Sequence, residues 1–148
     1  MRLQVSAKAD YAIRALVALA SRPEGESAKT AEIAREQAIP VKFLENILVQ
    51  LRRKRLVTSM RGPTGGFRIG RPAGDITIAE VLEAVEGPLV DVHGFEPDHA
   101  EYPPSVAPLR QLWVAAETGV RDLFTAVTVE DILTGDFLDR SLAQTSQP

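Results

Sequence analysis

Lys42, Glu45 and Asn46 fall within about one helical turn of each other and differ in what they can hydrogen-bond. A lysine can meet a guanine edge or a phosphate, a glutamate can accept from cytosine N4, and an asparagine can pair with adenine N6 and N7. Phe43, between them, either touches a thymine methyl or packs inward, and the sequence leaves both readings open. Downstream, Arg61 opens the run RGPTGG. A guanidinium there suits the narrow minor groove of A·T-rich DNA. Pro63, Thr64, Gly65 and Gly66 form the turn, and Gly62, Gly65 and Gly66 let the backbone approach a sugar-phosphate closely. Lys8, Tyr11, Thr30, Arg53 and Arg68 are candidates for phosphate contacts, which position a protein on a duplex without reading it.

Other chemistries are poorly represented. The chain has no cysteine, which excludes a disulfide scaffold, a thiolate zinc site and an all-cysteine iron–sulfur cluster. Its two histidines, His93 and His99, lie in a segment with Asp91, Glu96, Asp98 and Glu101. They could ligate a divalent ion, but their spacing matches no established ligand pattern, so an exposed acidic loop is the better reading and no metal is assigned. Tyr102 and Trp113 are of types that line apolar ligand pockets, though such residues more often simply pack. Gly65-Gly66 is no nucleotide fingerprint, because no strand, glycine-rich loop and helix surround it. With no nucleophile–base pair either, the chain is not expected to be an enzyme, and no cofactor is assigned.

The elements that must position these residues follow from periodicity. Ser6 is a plausible N-cap for a first helix whose apolar set is Ala12, Ala15, Leu16 and Leu19, ended by Pro23 and Gly25. Thr30 is the expected cap of a short second helix, TAEIAREQ. After Pro40 a third helix, VKFLENILVQLRRKRL, turns Leu44, Ile47, Leu48 and Leu51 inward and Lys42, Glu45, Asn46, Val49 and Arg53 outward. The period then changes to two: LVTSM and GFRIG read as strands of a hairpin, with Gly65-Gly66 supplying positive φ. Two helices, a short turn and a β-hairpin make a winged helix-turn-helix. Thr77 and Glu80 form a capping box for a fourth helix. Residues 88–108 hold five prolines and read as an acidic loop, a long helix follows from Pro108, and Thr128 with Asp131 caps a last short one stopped by Gly135.

The net charge of −3 hides a division. Residues 1–74 carry 14 Lys and Arg against 6 Asp and Glu, a balance of +8; residues 75–148 carry 3 against 14, a balance of −11. Such polarity fits a front half that meets a polyanion and a rear half that does not. On the long helix, Leu109, Leu112, Trp113, Ala116, Val120, Leu123 and Phe124 recur at helical spacing. This stripe either packs on the winged part or forms a dimer seam. The seam is favoured, because the winged part is expected to be a closed unit already. Gly119 would let a partner backbone come close.

The segments KADYAIRAL, IPVKFLENILVQLRRKRLV, SMRGPTGGFRIGRPAGDITIAEVLEAVEGP and VTVEDILTG together resemble the Rrf-two family of bacterial transcription regulators, the family of IscR, NsrR and CymR, over residues 1–135. The resemblance implies a homodimeric winged-helix repressor whose long helix crosses to its partner, and it supports Lys42, Phe43, Glu45, Asn46, Arg61 and Gly62 as residues at matching positions. Metal-sensing members carry three cysteines before the long helix; GPLVDVHGFEPDHAEYPPSVAP has none, so the chain looks like the cysteine-free branch.

The expected fold is mainly α with a small β-hairpin. A winged helix-turn-helix domain spans 1–74, a helical dimerisation region 75–135 and a disordered tail 136–148. The expected partners are double-stranded DNA and a second copy of the chain, with an unidentified small-molecule or protein effector left open. No apolar run approaches the ~20 residues of a membrane span and no secretion signal is visible, so a cytoplasmic location is expected. The competing readings are a winged-helix protein-interaction module, which the basic front half disfavours, and a regulator sensing a metal or small ligand through residues 88–113.

Overall fold

The computed structural model describes residues 4–87 and 89–137. Helix α1 (Ala7–Ala20) starts at Ser6, whose Oγ accepts from the Ala9 amide at 3.0 Å, and ends before Pro23 at Ser21. Helix α2 (Thr30–Gln37) differs from expectation at its start. Its cap is Lys29, without a side-chain bond, and Thr30 is the first helical residue. A sharp turn through Ala38, at φ 53°, and Pro40 leads into α3 (Val41–Arg53). This helix stops short of Leu56 because the chain reverses at Arg55, φ 59°.

Strands β1 (Val57–Met60) and β2 (Gly66–Ile69) pair antiparallel, with Val57 opposite Ile69 and Met60 opposite Gly66. The positive φ values fall at Gly62 (101°) and Gly66 (141°), not at Gly65. Gly65 is constrained by space instead, since a Cβ there would run into the carbonyls of Met60 and Gly62. The hairpin is tied to the body through Ala28, which exchanges two backbone hydrogen bonds with Phe67 at 2.9 and 2.7 Å. Ser27 Oγ also donates to the Thr64 carbonyl at 2.7 Å.

Helix α4 (Ile78–Val85) and helix α6 (Val129–Thr134) both begin with the reciprocal capping boxes that Thr77–Glu80 and Thr128–Asp131 announced. The two caps lie side by side. The Ile78 amide donates to the Val127 carbonyl and the Val129 amide to the Ile76 carbonyl, each at 2.9 Å. Gly135 closes α6 in the left-handed conformation.

One hydrophobic core serves all of this. The inner face of α3 (Leu44, Ile47, Leu48, Leu51) is fully buried with Leu16, Ile33 and Leu56, and also with Ile76, Val81 and Val129. The first 74 residues therefore do not close a core of their own, because α4 and α6 supply part of it and α1 packs on both. Helix α5 (Pro108–Ala126) is the exception, since none of its residues is buried. The segment before it is a loop with two short 3-10 turns, Pro97–His99 and Pro104–Val106. Phe137 is half-buried against the core. The rest of the expected tail, residues 138–148, lies outside the described residues.

Candidate nucleic-acid interface

The geometry of α3 separates its two faces cleanly. Every apolar residue of the inner face has zero exposure, whereas Lys42, Glu45, Asn46, Val49 and Arg53 are all exposed. Arg52, Lys54 and Arg55 continue the exposed basic surface past the helix end, where cations also complement the helix dipole.

Phe43 is part packed and part exposed. Its ring packs edge-on against Tyr11 of α1, with centroids 5.6 Å apart and planes at 85°, yet 39% of the residue remains exposed. Tyr11 is thereby a buttress for the start of α3 and is only half-exposed. Arg14 sits over the tyrosine ring at 5.1 Å, pairs with Asp10 at 3.1 Å and donates to the Gln37 carbonyl at the end of α2. Sequence reasoning missed Arg14. The signal was its spacing of three and four from Tyr11 and Asp10, but the Gln37 contact is non-local.

In the hairpin, Arg61 is exposed beside Gly62, Pro63 and Thr64. Gly66 can only be glycine, because its φ is positive and a Cβ would collide with the Ala28 carbonyl. Arg68 is less free than expected. It is half-buried, with its Nε buried and without a hydrogen-bond partner. It lines a surface hollow of about 440 Å³ together with Lys29, Glu26, Glu32, Thr64 and Gly65. Lys29, at the cap position of α2, and Glu32, in its first turn, border the same hollow. Unpaired helix N-terminal amides attract anions. Lys8, on α1, is half-exposed.

On α5, Leu112 is 56% exposed and Leu123 49%; Ala116 is exposed, and Leu109, Trp113, Val120 and Phe124 are half-buried, Phe124 against the core. The helix is anchored by polar contacts. Arg121 pairs with Glu117 at 2.9 Å and with Glu83 of α4, and its guanidinium is held above its ordinary value, chiefly by the hydrogen bond to Glu117. Trp113 Nε1 donates to the Tyr102 hydroxyl at 2.8 Å, and Arg110 Nε to the Ala100 carbonyl at 2.7 Å. At the base of α4, burial pushes the Glu80 carboxyl up. The Thr77 amide and the Arg71 guanidinium, 2.9 Å away, outweigh this and hold it below the usual glutamate value.

His93 and His99 do not form a pair of ligands. His93 occupies the tight Val92–Phe95 turn at φ 53°. His99 instead groups with Glu96 and Asp98, whose ligand atoms lie within 4.8 Å of one another, all three residues being exposed. The set is one borderline imidazole and two hard carboxylates, all solvated. It does not fit an iron–sulfur cluster, which thiolates hold, and the sequence supplies no thiolate. No helix among the described residues is long and apolar enough to cross a membrane.

Comparison with known proteins is consistent across sequence and fold. A family model described as "Rrf2: Iron-dependent Transcriptional regulator" matches residues 5–135. A candidate HTH-type transcriptional regulator of Mycobacterium tuberculosis is 38% identical over 133 residues, covering 90% of this chain and 83% of the relative. The HTH-type transcriptional regulator IscR of Cereibacter sphaeroides is 41% identical over 93 residues, 62% of this chain and 60% of that protein. Among solved structures, CymR, the global cysteine regulator of B. subtilis, superposes with a TM-score of 0.74 at 26% identity over 90% of this chain and 98% of its own. The T. potens IscR structure superposes at 0.73 with 24% identity over 99% and 94%, a likeness of fold.

Proposed function

Because this chain belongs to the Rrf2 family, a family of transcriptional regulators rather than enzymes, we propose that it is a homodimeric repressor that binds a palindromic operator in the cytoplasm without an iron–sulfur cluster. The observation that carries the reading is the division of α3, fully buried on one face and, on the other, exposing Lys42, Glu45, Asn46 and Arg53 next to a projecting hairpin. A helix so divided can lie in a major groove with its polar side chains on base edges while the hairpin follows the adjacent backbone. Arg61 then enters the minor groove, with Gly62, Pro63, Thr64, Gly65 and Gly66 keeping the wing thin. Lys8, Thr30, Arg53 and Arg68 contact phosphates; Arg68 does so from the rim of the hollow it shares with Lys29. Phe43 offers its free edge to a thymine methyl, and Tyr11 holds it there.

Within the dimerisation region 75–135, helix α5 meets the second copy. Much of the apolar stripe of α5, Leu112 and Leu123 above all, is left uncovered by the described residues, and a two-fold pairing of two such stripes lets each protomer take one half-site. With no thiolates for a cluster, any releasing signal is a small molecule, a metal ion or a protein acting on the loop and α5.

Footprinting on genomic fragments, followed by titration of the protected duplex, tests the reading. The expected result is a two-fold symmetric footprint and an affinity that falls about 10³-fold or more between 50 and 200 mM salt, as for roughly six to ten phosphate contacts. Failure to bind any duplex at low ionic strength refutes it.

A further inference from the structure

We propose that Val49 reads the C5-methyl group of a pyrimidine in the major groove, so that the operator carries a thymine or 5-methylcytosine at one fixed position per half-site; this rests on the duplex-binding reading above. Val49 is an exception on its surface. Helical geometry of about 100° per residue puts it within about 20° of Lys42 and about 40° of Arg53, and nearly opposite the buried Leu51. It thus stands at the crest of the exposed face, among Lys42, Glu45, Asn46 and Arg53, and it is 37% exposed. Val41 and Phe43, the other exposed apolar residues of α3, lie on its flanks instead, about 100° to either side of Lys42.

A valine at this place contributes nothing to the core and is a weaker helix former than alanine. It has no donor or acceptor, so it cannot read base edges by hydrogen bonding. Its β-branch does hold both methyls in one rotamer, which makes a rigid apolar surface. In the major groove the only apolar feature a base pair offers is the methyl at C5 of thymine, or the same methyl on cytosine. Val49 lies three residues beyond Asn46, about 4.5 Å along the axis, and so meets a different base pair from the one Asn46 reads.

The experiment starts from a duplex selected out of a random pool by the full-length protein. Each thymine is replaced singly and symmetrically by deoxyuridine, which removes the methyl and leaves every hydrogen bond in place. The symmetric pair of positions that Val49 meets, distinct from any thymine beside Phe43, should weaken binding by about fourfold per half-site, roughly fifteenfold for the dimer, the scale of one buried methyl. In Val49→Ala that penalty should shrink towards none while penalties at other thymines persist. At the same position, 5-methylcytosine should bind more tightly than cytosine to the wild-type protein but not to Val49→Ala. That second arm separates the two sources of the methyl: a preference for thymine alone assigns the contact to the T·A pair, and a gain from cytosine methylation extends it to modified DNA. If no thymine shows a penalty, or Val49→Ala leaves the penalty unchanged, the methyl-reading role is overturned while duplex binding stands. If no duplex is selected at all, both readings fall.

Discussion

Replacing Leu112 and Leu123 together by alanine tests the dimer most directly. The two side chains are 56% and 49% exposed, so each protomer presents about one whole leucine of uncovered apolar surface on α5. Burying a leucine fully is worth about 2 kcal/mol. A two-fold interface counts every contact twice, so the double substitution should cost about 4 kcal/mol of association free energy, or about 10³ in the dimer constant. Because α5 contributes no buried residue to the chain's own core, the protomer should keep its fold. Sedimentation equilibrium over a wide concentration range measures the constant, and circular dichroism checks that helix content is retained. Operator affinity should fall in step, because a monomer holds one half-site. An unchanged dimer constant would refute the seam, as would wild-type protein that sediments as a monomer.

Four further outcomes follow from the same geometry. Asn46→Ala should cost about 1–3 kcal/mol at one base pair only, read by titrating operator variants; a uniform loss over all sequences would make it a positioning residue. Arg61→Ala should weaken binding and relax the preference for A·T pairs flanking the half-site, read by the same titrations. The lowered Glu80 carboxyl makes stability pH-dependent: its contribution is complete above the ordinary glutamate range and is lost as pH falls through the folded-state value. Glu80→Gln should therefore be less stable than wild type near neutrality, with the gap in urea midpoints closing on acidification; parallel curves would remove Glu80 from the account. Gly66→Ala should lower the thermal midpoint and impair DNA binding, since the added Cβ must push the hairpin off Ala28.

What the sequence revealed and what it hid divide along one physical line. Helix caps and buried faces closed within four residues were legible. Ser6 on Ala9, Thr77 with Glu80 and Thr128 with Asp131 all cap as their spacing requires, and the inner face of α3 is buried residue for residue. Thr30 failed as a cap although its type was right. Lys29 already has the extended backbone of a cap, and the Ala28–Phe67 pairing beside it fixes where the helix can begin. That pairing spans the chain from α2 to the wing and leaves no local trace. The same holds for the edge-on contact of Tyr11 with Phe43, for Arg14 on Gln37, and for the meeting of the two threonine caps. Gly65-Gly66 was recognised as a turn, but Gly65 is required by space alone and Gly66 by both torsion and space, which the letters alone do not distinguish. His93 and His99 shared a loop in sequence, and only the Val92–Phe95 turn separates their roles.

The clasp between Thr77 and Thr128 has an evolutionary corollary. Everything from α4 through the proline-rich stretch to the end of α5 leaves the backbone at Ile76 and comes home to it at Val127, pinned by two hydrogen bonds. Closing a loop costs free energy only as the logarithm of its length. The tip of this excursion can consequently be lengthened, shortened or stripped of metal-binding side chains while the anchoring points stay put. A lineage could thus exchange one sensory chemistry for another, or give it up, without having to solve the packing of its DNA-facing half a second time.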